Sequence, residues 1–359
     1  ETSLEEFLEW GSTRAVTPVV RRLFADSETP MGLYRKLSRG PGSFLLESAD
    51  QAGKWSRYSF LGVSIHGVLA QDGGRSVWRD HGMSGADAFG GAVPEEPLEA
   101  LEVLHRRWLS QALPDLPPFA GGLVGHIGWE AVRLVEHLPT PPPASHEVPA
   151  MHLALVRDFV AFDHHSSEVV LVALTHSPEP VGESQYREAR ARLDLMHEAL
   201  TQPTSSTLHQ KTEPAEAAPQ PSLDESQFFD LVARAKQHIE DGDVFQVVLS
   251  QQFEFHLDAS PLEVYRVLRS VNPSPYMYLL ECEDTLGNTY HVVGSSPEAL
   301  VTLQRGKVYS HPIAGSRPRG SSVEEDQAFA DALVADTKEQ AEHLMLVDLA
   351  RNDLSKVCQ

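Results

Sequence analysis

Cysteine is nearly absent: the 359 residues hold only Cys282 and Cys358, far apart and in no metal-ligand spacing. This scarcity excludes a disulfide-stapled fold and makes a reducing cytoplasm the expected compartment. Long apolar runs are also missing. No stretch of about 18 consecutive apolar residues occurs, so no transmembrane helix is expected. The opening Glu1-Thr2-Ser3-Leu4-Glu5-Glu6 has neither a basic nor an apolar region and does not read as a signal peptide. Positive charge is the scarcer sign, with 29 Lys plus Arg against 51 Asp plus Glu and a formal charge of −22. So acidic a surface repels nucleic acid and anionic membrane, and neither is an expected partner. An anionic substrate would need a local basic or metal-containing pocket. Apolar residues make up 41% of the chain, enough to core two domains or one large elaborated one.

Three regions follow from patterning. In 1–200, Leu23-Phe24 and Leu33-Tyr34 flank an expected turn at Thr29-Pro30-Met31-Gly32, and 43–47 (SFLLE) and 56–62 (SRYSFLG) read as strands. Residues 153–162 and 169–174 read as paired strands around a polar turn, and 182–200 as a helix with Ala189, Leu193 and Met196 on its apolar stripe. Residues 201–223, rich in Pro, Thr, Ala and Gln, form a linker or surface loop by composition. In 224–359, a capping box at Ser222 and Glu225 opens a helix carrying Phe228, Leu231, Ala235 and Ile239, closed by Gly242. The alternation in 244–253 then predicts a strand, with Phe245, Val247, Leu249 and Phe253 on one side and Gln246, Ser250 and Gln252 on the other. Both ends are expected to be incomplete, since the chain opens on Glu1 and 351–359 closes no evident domain.

Four segments carry chemistry. In the predicted helix 338–357, Glu339 and Glu342 share a face, while Leu344, Met345 and Val347 cover others, so much of it is expected to be buried. Two buried carboxylates need a cation or a proton, and a hard divalent ion with oxygen ligands supplies one. A solvent-exposed pair of acids in a first helical turn is the commoner fate of such spacing. In 311–320 (HPIAGSRPRG), Gly315 lets backbone approach a ligand, Ser316 offers a hydroxyl, and Arg317 and Arg319 offer planar cationic donors; a polar hairpin loop is the plainer alternative. The segment 272–278 (NPSPYMY) is held extended by its prolines and presents Tyr276 and Met277, or else simply enters a strand. Strand 44–48 (FLLES) ends on Glu47 and Ser48, which could hold an ammonium group or merely form a polar turn. The glycines of 119–130 (FAGGLVGHIGWE) lack phosphate-loop spacing and more naturally permit close strand packing. His164-His165 and His311 have no supporting zinc-ligand spacing.

Taken together, these segments resemble the large subunits of anthranilate synthases, in the chorismate-utilising enzyme family. The matching pieces are FLLES, FAGGLVGHIGWE, DGDVFQVVLSQQF at 241–253, NPSPYMYLL at 272–280, GSSPEAL at 294–300, HPIAGSRPRG and EHLMLVDLARNDL at 342–354, in the family's order. The resemblance implies an α+β fold with antiparallel sheets in a sandwich-like core and flanking helices. It divides the chain into an N-terminal region with a regulatory tryptophan site (1–200), the linker 201–223 and a partial chorismate-binding catalytic region (224–359).

The implied reaction adds ammonia to chorismate and eliminates pyruvate, giving anthranilate, with a glutamine amidotransferase subunit supplying the ammonia. Mg²⁺ is the implied cofactor, with Glu342 as ligand and Glu339 as a close or water-mediated one. Gly315 and Ser316 would contact chorismate. Glu47, Ser48, Pro275, Tyr276 and Met277 would form a tryptophan feedback site. Gln246 stands where water-adding relatives carry a lysine base; ammonia needs no such base, so Gln246 selects the nucleophile. Ala314 stands where relatives that make aminodeoxychorismate carry lysine. His311 and Ser316 depart from the usual Arg and Thr. Relatives continue well past residue 359, into a second acid pair and a catalytic histidine, so the isolated chain is expected to be inactive. The rivals are an aminodeoxychorismate synthase-like enzyme and, for this chain alone, a non-catalytic tryptophan- or partner-binding module.

Overall fold

The computed structural model describes residues 1–38, 40–49, 56–110, 113, 116–142, 146–205 and 218–358. They divide into two compact units, one of Glu1–Thr204 with Pro261–Gln359 and one of Ser205–Ser260.

The first unit begins with α1 (Leu4–Gly11), where Ser3 and Glu6 cap each other's backbone reciprocally. Strand β1 (Val16–Phe24) follows. The segment expected to turn at Thr29-Pro30-Met31-Gly32 instead opens α2 (Pro30–Leu37). Thr29 accepts from the Gly32 N–H, and proline sits in the first turn, where its missing N–H goes unneeded. Next come β2 (Phe44–Glu47), β3 (Tyr58–Asp72), β4 (Arg75–Asp80), α3 (Gly85–Phe89), α4 (Pro97–Arg107) and β5 (Leu123–Ile127). The expected strand pair is β6 (Met151–Asp163) and β7 (Glu168–His176), joined at Asp163 opposite Glu168. Helix α5 (Glu183–Thr201) buries Ala189, Leu193 and Met196, as its stripe predicts.

In the second unit, β8 (Gln220–Pro221) pairs with β9 (Phe253–Glu254) around α6 (Glu225–Glu240). The capping box lies two residues beyond its expected place, on Asp224 and Gln227. The strand predicted over 244–253 is reduced to Phe253–Glu254. Alternation offers a face, but a strand also needs a ladder partner: among the described residues the Gln252 carbonyl accepts from the Ser222 N–H at 2.9 Å, and 244–251 lie in no strand.

The chain returns to the first unit with α7 (Pro261–Val271), β10 (Tyr276–Glu283), β11 (Thr289–Ser296), the ribbon β12 (Thr302–Gln304) and β13 (Lys307–Tyr309), α8 (Val323–Ala335) and α9 (Thr337–Val357). Its sheet runs β1-β7-β6-β3-β2-β10-β11, with β4 added to β3 and β5 to β6, and every pairing is antiparallel. Strands β10 and β11 thus complete a sheet begun by the N-terminal region.

Helices cover both faces. On one face Val169, Leu171 and Ala173 of β7 pack with Phe7, Leu33, Leu37, Leu193 and Tyr265. On the other, Val170, Val172 and Leu174 pack with Phe89, Leu104 and Trp108. Double burial explains why β7 reads as a continuous apolar run rather than an alternating one. Gly125 allows the close strand packing expected of its motif, because a Cβ there would stand 1.8 Å from the His152 carbonyl oxygen.

The expectation that α9 is largely buried is not met. None of its residues is buried, and Leu344 is 67% exposed. Among the described residues the element that packs on this helix most is α8, too little to take its apolar positions out of water.

Candidate functional site

The loop 311–320 and the start of α9 are brought together. Asp336 caps α9, accepting from the N–H groups of Lys338 at 3.0 Å and Glu339 at 3.2 Å. These bonds, the first of them from Glu339, hold its carboxyl below the usual aspartate range. The Arg317 guanidinium bridges loop and helix: it donates to Asp336 at 2.6 Å and to the Ser316 carbonyl at 2.9 Å, and lies 3.5 Å from Glu339. Gly315 has φ +83°, a left-handed conformation suited to glycine. A Cβ there would meet Glu339 Oε2 at 3.0 Å and Leu333 Cδ1 at 3.2 Å. Gly315 therefore seats the loop against Glu339, while Ser316 next to it is exposed. Glu342, one turn on, is half-buried, and its carboxylate has no partner among the described residues.

Glu339 and Glu342 would offer two carboxylates to a hard cation, a set that fits Mg²⁺ only with substrate or water oxygens completing it. Among the described residues no third metal-ligating side chain joins them.

A second cluster gathers the other candidates. Strands β2 and β10 pair with Met277 directly opposite Glu47. Pro275 is half-buried, Tyr276 is exposed and Met277 is buried. The turn after Glu47 is fixed by backbone: the Ser48 carbonyl accepts from Ser56 at 2.7 Å, and the Ala49 N–H donates to the Ser274 carbonyl at 3.0 Å.

The Glu47 carboxylate itself is fully buried and already occupied. Oε2 accepts from Arg269 Nε at 2.8 Å and from the Tyr265 hydroxyl at 2.9 Å. Oε1 accepts from Arg269 Nη2 and the Ser59 hydroxyl, both at 3.2 Å. Four donors fill the four lone-pair positions of a carboxylate. An incoming ammonium would have to displace one of them. Burial first, and the Glu47 charge next, push the Tyr265 hydroxyl well above its ordinary pKa, so it stays a donor. Sequence reasoning missed both Tyr265 and Arg269; their only local signal is an i, i+4 spacing on α7, one turn apart.

Gln246 lies in the other unit, exposed on a segment without regular structure.

Comparison with known proteins follows the same lines. The profile of a family described as chorismate binding enzyme matches residues 69–359. The chain is 45% identical to anthranilate synthase component 1 of Arthrobacter globiformis, covering 99% of this chain and 67% of that protein. It is 43% identical to the protein of that name from Mycolicibacterium smegmatis, covering 100% and 68%. The crystal structure of anthranilate synthase component I from Streptococcus pneumoniae superposes with a TM-score of 0.66 at 29% identity, over 84% of this chain and 62% of that one. The menaquinone-specific isochorismate synthase of Escherichia coli superposes with a TM-score of 0.57 at 13% identity, a likeness of fold alone.

Proposed function

We propose, from the premise that this chain belongs to the chorismate-binding enzyme family, that it forms part of an anthranilate synthase large component. The protein would convert chorismate and ammonia to anthranilate and pyruvate. The observation that carries this reading is the seating of Gly315 against Glu339 at the start of α9, which joins the expected substrate loop to the expected metal helix. Glu342 and Glu339 would hold Mg²⁺, which when bound supplies a Lewis acid for a chorismate carboxylate. Gly315 brings the loop backbone up to the helix beside Glu339, Ser316 offers an exposed hydroxyl, and Arg317 holds Glu339 in place. Gln246, a neutral amide, cannot deprotonate water, which suits ammonia as nucleophile. A glutamine amidotransferase subunit would supply that ammonia. Glu47, Ser48, Pro275, Tyr276 and Met277 would take tryptophan as a feedback inhibitor, which makes the control allosteric between two distinct sites.

The test is the mass of the product. A chain extended to the length of its relatives, given chorismate, ammonium and Mg²⁺, should release anthranilate and pyruvate. Accumulation of aminodeoxychorismate would instead favour the rival enzyme, against which Ala314 weighs. For this chain alone a second reading, a tryptophan-binding module without turnover, is favoured by one observation: Glu339 and Glu342 stand on a helix with no buried residue. Anthranilate production by the isolated chain would refute it.

A further inference from the structure

Strands β3 and β6 lose register three times within a few residues. Gly62 pairs with Phe159, Ser64 with Asp158, Ile65 with Val156 and Gly67 with Leu155, leaving Val63, His66 and Arg157 outside the ladder. Bulges re-aim side chains, and they concentrate beside functional sites. Here the bulged stretch floors a cleft of about 630 Å³, within the size range of small-molecule sites. Val63, Ser64, Arg157 and Asp158 line it from the strands, Leu37 from α2, and Arg192, Leu195, Met196 and Ala199 from α5.

The charged groups in this cleft are unevenly paired. Asp158 is committed: it accepts from Arg192 Nε at 2.9 Å and from the Ser64 hydroxyl. Arg192 also donates to the Leu174 carbonyl at 2.6 Å. Arg157 is the less well paired of the two guanidiniums. Its Nε is buried with no hydrogen-bond partner, and Asp158 Oδ2 lies 4.0 Å away. Burial first, and then the neighbouring Arg192 charge, disfavour its protonated form, while the carboxylates of Asp158 and Glu188 partly offset them. Glu198 also lines the cleft, but its residue is exposed. Among the described residues lining the cleft, Arg157 Nε is the one buried side-chain donor left without a hydrogen-bond partner.

We propose that this cleft binds a small organic monocarboxylate, its head on Arg157 beside Arg192 and its apolar body against Leu37, Val63 and Met196. A guanidinium with an N–H still to be satisfied suits a single carboxylate group, whose planar geometry it matches. The apolar side chains along the walls suit an organic acid over inorganic phosphate. The site is separate from the Glu47 cluster and from the loop at Gly315.

Benzoate is a suitable probe, titrated into the chain and followed by the methyl NMR signal of Met196. A saturable shift is expected, with benzamide and inorganic phosphate binding far more weakly. R157Q should weaken benzoate about tenfold or more, the loss of a charge-assisted hydrogen bond. L195E, at a position 65% exposed on the rim, should weaken it also, by placing a negative charge at the mouth without disturbing the core. No saturable binding by the folded chain overturns the proposal. So does equal affinity for benzamide or phosphate, or unchanged affinity in R157Q. Should R157Q fail to fold, L195E decides, and undiminished binding there overturns the proposal.

Discussion

Arg269 donates to both carboxylate oxygens of Glu47, at 2.8 and 3.2 Å, from a helix that follows it by more than two hundred residues. The pair fastens α7 to the end of β2, with Tyr265 as a third clamp on the same carboxylate. A buried anion held this way depends on its cation more than the reverse, because Arg269 retains 27% exposure and Glu47 none.

Removing that cation should therefore be costly. Arg269→Met is expected to destabilise the chain by roughly 3 kcal/mol, the scale for breaking a buried ion pair on one side. Tyr265→Phe, which removes one neutral donor and keeps the ring in the core, should cost about 1 kcal/mol. Urea denaturation of both variants measures the order. Tryptophan affinity should move the other way. If its ammonium group takes Arg269's place on Glu47, Arg269→Met should bind tryptophan more tightly than the parent chain, and calorimetry reads that directly.

The metal reading rests on Glu342, whose carboxylate is uncommitted. In a chain extended to the length of its relatives, Glu342→Ala should abolish anthranilate formation and leave tryptophan binding largely intact. The substitution should shift stability by less than about 0.5 kcal/mol, since it breaks no hydrogen bond or ion pair among the described residues. Full activity in that variant, by the fluorescence of anthranilate, would remove Glu342 from the metal site.

Some of this arrangement is legible in the sequence and some is not, for physical reasons. Helix α5 was readable because an apolar stripe, once formed, needs only one face to pack on. The β6–β7 pair was readable because its turn and its two apolar runs are adjacent. The segment 244–253 shows the limit: its alternation is a strand signal, but pairing is non-local, and the partner is not written in the same stretch. Residues 29–32 show another, since Thr-Pro begins helices as readily as it turns chains. Arg269 and Tyr265 could not be assigned to Glu47 from patterning, because only the β2–β10 pairing brings α7 beside it. The bulges at Gly62 to Gly67 leave no mark at all, for a one-residue slip in register has no composition.

Gly315 makes a prediction with an internal control. Gly315→Ala forces a side chain into the left-handed region and places its Cβ 3.0 Å from Glu339 Oε2. Gly306 has a similar φ of +75° and open space around it. Gly306→Ala should thus cost about 1 kcal/mol of backbone strain alone, measured by thermal denaturation. Gly315→Ala should cost that and more, and should raise the Mg²⁺ concentration needed for activity in the extended protein, because Glu339 must move.

Acid should weaken the fold through its buried imidazoles. His152 is 1% exposed. Burial, chiefly, and the neighbouring His126 push its pKa down from 6.5 to about 4. His66, beside His176, is pushed down to about 3 for the same first reason. The unfolded chain takes up these protons near pH 6.5, whereas the folded chain refuses them until far lower. The unfolded state thus binds more protons between those values, so stability rises with pH across that window and levels off above it. Each such histidine contributes a slope of up to about 1.4 kcal/mol per pH unit within its window. Carboxylates paired in the fold add their own losses, but lower, as pH falls through the acid range. His152→Gln removes one titrating group and keeps an acceptor within reach of the Glu283 N–H, which His152 Nε2 now serves at 3.2 Å. Its stability should therefore fall less steeply than the parent's between pH 6.5 and about 4, with the two curves parallel above pH 7. Urea midpoints across that range test it. An unchanged acid slope would mean that His152 is protonated in the fold, and that its burial is relieved by a partner other than those seen.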